Sequence, residues 1–350
     1  MNILKMQFLI IVLTISSSSA FIRTRRGLVD LFNISSEYNL AQLIEIVYGL
    51  AENTGTRIYC NETKVVPEQE IKFLCGHKGS PLLQDTILND PRLASKIDVD
   101  KPIFFILHGW TDSGTKSWVQ ESAQNVIQFM DQNVCIVNWA RLALFGYSIS
   151  SFQHVPLVAD YMTKFVEYIH DEGIPLSKFT LAGHSLGAQI AGQVGHKLRG
   201  QLGTIFGLDP ARALFTAPID RGLAIRLDKT DAKYVQMILT SRGLGGVFKG
   251  DGHENFYPNG GFSPQLNCVI PINSDAEFSI QLLCSHLHAT ELFKNSINPN
   301  IVFKARQCSD WINYVSKKCE SRKTNRLGPY SDRIGGDFYL RTSAVAPYNV

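Results

Sequence analysis

The chain has 350 residues, 45% of them hydrophobic, and a formal net charge of +3. That is enough for one large domain or two small ones with a sizeable core. Lys5, Arg23, Arg25 and Arg26 fall in the first 26 positions, which hold no acid; without them the charge is −1, which gives no case for nucleic acid or anionic membranes.

At the N-terminus Lys5 precedes an apolar core, Met6 to Ile15, which ends in four serines and Ala20. This pattern predicts a secretory signal peptide over residues 1–20 and an extracellular destination. No other run approaches 18 apolar residues, so no transmembrane segment is expected. Residues 21–58 say less. Arg23-Thr-Arg-Arg26 suits a propeptide processing site, and an ordinary mobile N-terminus fits equally well. The main domain is expected over residues 59–350. Asn33-Ile-Ser35 and Asn61-Glu-Thr63 are glycosylation sequons, predicting modification at Asn33 and Asn61.

Seven cysteines in a secreted chain predict disulfides with one thiol left over. Cys268 and Cys284 bracket one loop, Cys308 and Cys319 another, and Cys60 with Cys75 is the expected third pair. Cys135, inside the apolar run Asn133 to Trp139, reads as a buried free thiol. The chain contains no C-x-x-C, which removes the usual zinc and redox patterns; no metal ligand and no cofactor is assigned.

From Ile71 onward short apolar runs alternate with helical periodicity. Strands are predicted at Ile71–Leu74, Ile103–Leu107, Val134–Val137, Phe179–Ala182, Thr204–Leu208 and Tyr234–Leu239. Helices are predicted at Trp118–Met130, Val155–His170 and Ala188–Leu198. This rhythm predicts an α/β fold with a mostly parallel central sheet and helices on both faces.

Phe179 to Ala182 runs into Gly183-His-Ser185-Leu-Gly187 and then a small-residue helix. Strand, G-x-S-x-G, helix is the context of a nucleophile elbow, which makes Ser185 the candidate nucleophile. Catalytic residues of open α/β sheets gather at the carboxyl ends of strands. Asp209 stands just past the next strand, and Pro210 is expected to hold it extended, so Asp209 is the candidate acid. The α/β-hydrolase order then requires a later histidine. His253 lies in a turn-rich stretch where backbone hydrogen bonding explains it. His286 and His288, read as opening a helix after a disulfide, are not separated by spacing. An oxyanion hole needs two backbone N–H groups. Leu186, following the nucleophile, supplies one. Trp110, after Ile103-Phe-Phe-Ile-Leu-His-Gly109, supplies the other.

Taken together, Phe105-Ile-Leu-His-Gly-Trp-Thr-Asp, Gly183-His-Ser-Leu-Gly-Ala, Gly207-Leu-Asp-Pro-Ala, Phe256-Tyr-Pro-Asn-Gly-Gly and Cys284-Ser-His resemble the pancreatic lipase family in order and spacing. Gly336-Asp-Phe-Tyr-Leu-Arg-Thr342 resembles the close of its catalytic domain. The resemblance spans about residues 65 to 350 and implies the α/β-hydrolase fold, with Ser185, Asp209 and His286 as the triad and Trp110 and Leu186 at the oxyanion positions. It makes the loop from Cys268 to Cys284 a lid, carrying Val269-Ile-Pro-Ile and Phe278-Ser-Ile-Gln-Leu-Leu. That lid looks shorter than in the triacylglycerol lipases yet longer than in wasp venom phospholipases A1, and the loop from Thr240 to Asp251 is also short, as in phospholipase-A1-like members.

Three departures stand out. The C-terminal β-sandwich of the pancreatic enzymes is not expected, nor is colipase docking. Arg226 to Asp231 resembles the family's calcium loop, with Asp228 and Asp231 in place but Leu223 where a glutamate is usual. The family's Cys-x-His-x-Arg reads Cys284-Ser-His-Leu-His288. The expected function is a secreted serine hydrolase cleaving fatty-acyl esters at a lipid–water interface, as a triacylglycerol lipase or phospholipase A1. The alternative is a non-catalytic lipid-binding protein, as insect yolk proteins resemble lipases.

Overall fold

A computed structural model describes residues 65–270 and 275–350. The signal peptide, the 21–58 segment, Asn33, Cys60 and Asn61 lie outside the described residues.

Ile103 to Leu107 is a continuous apolar run, and all five residues are fully buried. A strand covered on both faces has to be apolar at every position. Its side chains divide by parity: Ile103, Phe105 and Leu107 enter one core, Phe104 and Ile106 the other. This strand, β3, anchors an eleven-stranded sheet. Its remaining strands are β1 (Lys72–His77), β2 (Ser80–Thr86), β4 (Asn133–Asn138), β5 (Phe179–His184), β6 (Leu202–Leu208) and β7 (Ala232–Ile238). They continue with β8 (Glu254–Pro258), β9 (Lys304–Gln307), β10 (Thr324–Arg326) and β11 (Gly336–Leu340). The spatial order is β10-β9-β11-β8-β7-β6-β5-β3-β4-β1-β2. Strands from β4 across to β11 are parallel, and antiparallel pairs close both edges.

Helices cover both faces. On one, α2 (Val155–Asp171) buries Val158, Met162, Phe165 and Ile169 at helical spacing, and α3 (Leu186–Lys197) lies beside it. On the other lie α1 (Ser117–Asn125) and α4 (Asp275–Ser296), through Trp118, Val119, Ala289 and Phe293. The small residues of α3 have a packing reason. A Cβ at Gly195 would lie 2.2 Å from the Asp231 carbonyl oxygen, so only glycine lets the helix approach that segment.

Two expectations change. The helix predicted over Trp118–Met130 is α-helical to Asn125, then widens into a π turn over Val126–Met130. Asp131 follows at φ 52° and turns the chain into β4. The third disulfide is Cys75–Cys135, not Cys60–Cys75, and Cys135 is not a free thiol. The reason is register: β1 pairs antiparallel with β4, and Cys75 lies directly opposite Cys135. The other two bonds, Cys268–Cys284 and Cys308–Cys319, pair as expected.

Non-reducing peptide mapping should recover Cys75 linked to Cys135; a Cys60–Cys75 peptide would overturn this register. The bond closes a separation of 60 residues. Replacing both cysteines with alanine should lower unfolding free energy by roughly 4 kcal/mol in denaturant titrations.

Candidate active site

β5 ends at His184 and α3 begins at Leu186, which leaves Ser185 alone in the turn, at φ 55° and ψ −118°. Such a conformation is strained for a non-glycine residue and persists only where its surroundings dictate it. Here they do. The Ser185 N–H donates to the Leu208 carbonyl at 3.1 Å, and its carbonyl accepts from Ala188 and Ala211. A Cβ at Gly183 would lie 2.2 Å from the Gly187 oxygen, and one at Gly187 2.5 Å from the Leu107 and His108 oxygens. Both glycines of the motif are therefore sterically required.

Asp209 follows β6 and is fully buried. It is not extended, as the following proline suggested, but left-handed at φ 46°. Its N–H donates to the Ile238 carbonyl at 2.7 Å, and a surrounding loop fixes both carboxylate oxygens. Oδ1 accepts from the Thr240 and Ser241 N–H groups at 3.0 and 3.2 Å. Oδ2 accepts from the Ser241 hydroxyl and from His286 Nδ1, the latter at 2.6 Å. With Nδ1 as donor, the neutral imidazole leaves Nε2 available as a base.

His286 does not open a helix; it lies inside α4, two residues beyond the Cys284 disulfide. The structure separates the two candidate histidines. His286 reaches Asp209, while both His288 nitrogens are buried without hydrogen-bond partners among the described residues and burial pushes its pKa down to about 4. His253 makes the backbone contact expected of it, accepting from Val235 N–H at 3.0 Å.

Two residues that sequence reasoning passed over hold these parts together. His184, the variable position of G-x-S-x-G, meets the carbonyl of His286 through Nε2 at 3.1 Å, and its ring lies 4.6 Å from that of His286. Burial holds its pKa well below the usual histidine value, so the ring is neutral and Nε2–H donates. It ties α4 to the elbow. Ser241 is the second. Its oxygen accepts from Gly246 N–H at 3.0 Å and lies 3.2 Å from His286 Nδ1 while its proton goes to Asp209. Neither carries a motif signal; Ser241 sits in a loop whose shortness alone drew notice. Ser185 Oγ makes no hydrogen bond to His286 among the described residues. Nucleophile–base contacts in unliganded sites are often loose and tighten around substrate.

The stretch after β3 passes against the elbow: a Cβ at Gly109 would lie 3.0 Å from Ser185 Cβ. Trp139 anchors it, donating from its backbone to His108 Nε2 at 3.1 Å and from its indole to the His108 carbonyl at 2.9 Å. The Trp110 indole donates to the Phe145 carbonyl at 2.7 Å. Leu186 directly follows Ser185 at the start of α3, and Trp110 directly follows Gly109, whose backbone passes beside Ser185. Within the Cys268–Cys284 segment, Leu282 is buried against Leu244 of the Thr240–Asp251 loop, while Val269 and Ile280 are exposed. The described part from Asp275 onward is helical.

Asp228 and Asp231 form a reciprocal cap on a short turn and are both buried, with Asp228 Oδ2 and Asp231 Oδ1 unpartnered among the described residues. Burial, together with the charge of Asp228, pushes the Asp231 pKa up to about 8. The two orphaned oxygens suit a hard cation. No cluster of three or more His, Cys, Asp or Glu side chains occurs among the described residues, so backbone carbonyls would have to complete any site.

A family model described as Lipase matches residues 51–348. Lipase member H of Mus musculus is 32% identical over 250 residues, covering 71% of this chain and 53% of its own length. Pancreatic triacylglycerol lipase of Oryctolagus cuniculus is 31% identical over 272 residues, covering 71% and 57%. Human inactive pancreatic lipase-related protein 1 is 31% identical over 292 residues, covering 76% and 61%. The chain spans a little over half the length of these relatives.

A folded-state Asp231 pKa above the unfolded value favours the protonated form in the fold. In chelator, this contribution should be complete below pH ~4 and fade as the pH rises through about 8. Thermal melts across that range test it, and calcium should raise Tm most at the alkaline end. A flat profile in chelator would show that Asp231 ionises freely.

Proposed function

The chain belongs to the lipase family and has its α/β-hydrolase fold, and on that premise we propose that it is a secreted serine hydrolase of lipid fatty-acyl esters. The observation that carries this reading is the strained Ser185 elbow beside a buried Asp209–His286 hydrogen bond. In the proposed reaction His286 Nε2 takes the Ser185 proton as Oγ attacks the ester carbonyl. Asp209 fixes the imidazole through Nδ1–H and stabilises the cation that forms. The Trp110 and Leu186 amides receive the oxyanion. His286 then protonates the departing alcohol, and water activated by the same histidine releases the fatty acid.

The disulfides among the described residues suit an oxidising, extracellular compartment. The short Thr240–Asp251 loop and short cysteine-bounded segment favour an open site that accepts polar lipids, and so phospholipase A1 activity over neutral lipolysis. The second reading, a non-catalytic lipid binder, is favoured by one observation: a relative named inactive matches as well as the named enzymes do. Against it stands the strain retained at Ser185, for which a carrier has no use.

Fatty-acid release from sn-1-labelled phosphatidylcholine should exceed release from emulsified triacylglycerol. Ser185→Ala should lower either by at least ~10³-fold without changing Tm. Release mainly from triacylglycerol would reverse the loop argument. Failure of a reactive phosphonate to label Ser185 would favour the carrier. Ser241→Ala should reduce kcat roughly tenfold with little change in KM, because a hydrogen bond to a charged acceptor is lost; Ser241→Thr should restore most of it.

A further inference from the structure

A total charge of +3 conceals segregation. Between Lys304 and Arg341 stand nine Lys and Arg residues against four Asp and Glu, so this stretch alone carries +5. Its densest part is the excursion closed by Cys308–Cys319 and the turn that follows it, with Lys317, Lys318, Arg322 and Lys323 all exposed. None of these four forms a salt bridge among the described residues. Lys318 and Arg322 line a recess of about 450 Å³ with Gln307, Ser309 and Asn313. The short helix α5 (Trp311–Val315) in this excursion turns Ile312 outward, 69% exposed, with Val315 also exposed.

β9 runs antiparallel to β11, so Gln307 and, opposite it, Lys323 lie toward the amino ends of β11 and β8, and the excursion between them folds back far enough for Trp311 to reach the carboxyl end. β8 runs parallel to β7, and β7 to β6, so their carboxyl ends coincide. Gly260, just past the end of β8, is covered by Trp311: a Cβ there would lie 2.9 Å from the indole. Trp311 and Tyr314 pack on a core that includes Val247 of the Thr240–Asp251 loop, and the next residues, Phe248 and Lys249, are exposed.

We propose that the Cys308–Cys319 excursion is a docking surface for lipid aggregates carrying anionic phospholipid headgroups, with Lys318 and Arg322 receiving the phosphate and Ile312 entering the interface. Apolar side chains set among unpaired cations suit a charged lipid surface, which engages both kinds of group. A sulfated polysaccharide would engage the cations and leave Ile312 unused. The proposal rests on the lipase reading for its purpose but not for its test.

The test uses the full chain carrying Ser185→Ala, so that vesicles stay intact during sedimentation. Binding to phosphatidylcholine vesicles containing phosphatidylglycerol should be at least about tenfold tighter than to phosphatidylcholine alone and should weaken with added salt. Lys318→Glu/Arg322→Glu should abolish that preference, and Ile312→Asp should weaken binding at fixed charge. In the background with Ser185 intact, the same substitutions should leave hydrolysis of a monomeric soluble ester within twofold of the parent. Equal binding to both vesicle types, or charge reversal without effect, overturns the proposal. So does retention on heparin that is lost on charge reversal, without vesicle binding, which would assign the surface to a polysaccharide. If soluble ester hydrolysis is absent from the parent, the lipase reading fails while the vesicle arms still judge the surface.

Discussion

A carboxylate with no exposure to water is the constraint around which this site is built. Burying an ionised Asp209 is costly unless its oxygens are satisfied, and here the N–H groups of Thr240 and Ser241, the Ser241 hydroxyl and His286 Nδ1 satisfy them. Those donors come from a loop after β7 and from α4, far apart in sequence. Meeting the needs of one side chain therefore brings the acid, the base and the loop between them into one geometry.

The elbow connects to this assembly through steric exclusion and one tether. Backbone passes so close to Gly183 and Gly187 that no side chain fits, Gly109 packs tightly against Ser185 and His184, and His184 reaches from the elbow to the His286 carbonyl. A hydrogen bond to a backbone atom fixes the position of α4 without occupying either imidazole nitrogen of His286. Positioning is thus separated from acid–base chemistry.

What was legible in the sequence follows from how local each signal is. Ser185 was readable because its strand, turn and helix are contiguous, and Asp209 because strand ends in a parallel sheet are informative by position. His286 could not be told from His288 by spacing, since what separates them is a contact with Asp209 across 77 residues. The Cys75–Cys135 bond was missed because it depends on β1 joining the sheet antiparallel beside β4, a pairing no local pattern announces. Asp209 was misread as extended because the rule for residues before proline cannot anticipate a tertiary hydrogen bond to Ile238. Ser241 and His184 act through partners chosen by the fold, so residue type alone is silent about them.

The loop beginning at Thr240 carries two demands that pull on its evolution differently. In the proposed function its length shapes access to the site, yet its opening residues hold the acid, and a Cβ at Gly246 would lie 2.2 Å from Asp209 Oδ1. Change at Thr240, Ser241 or Gly246 therefore disturbs the carboxylate cage, whereas residues 248–251 make no hydrogen bond to Asp209 among the described residues. A lineage could lengthen or shorten this loop to trade one lipid for another, provided every change spares that cage.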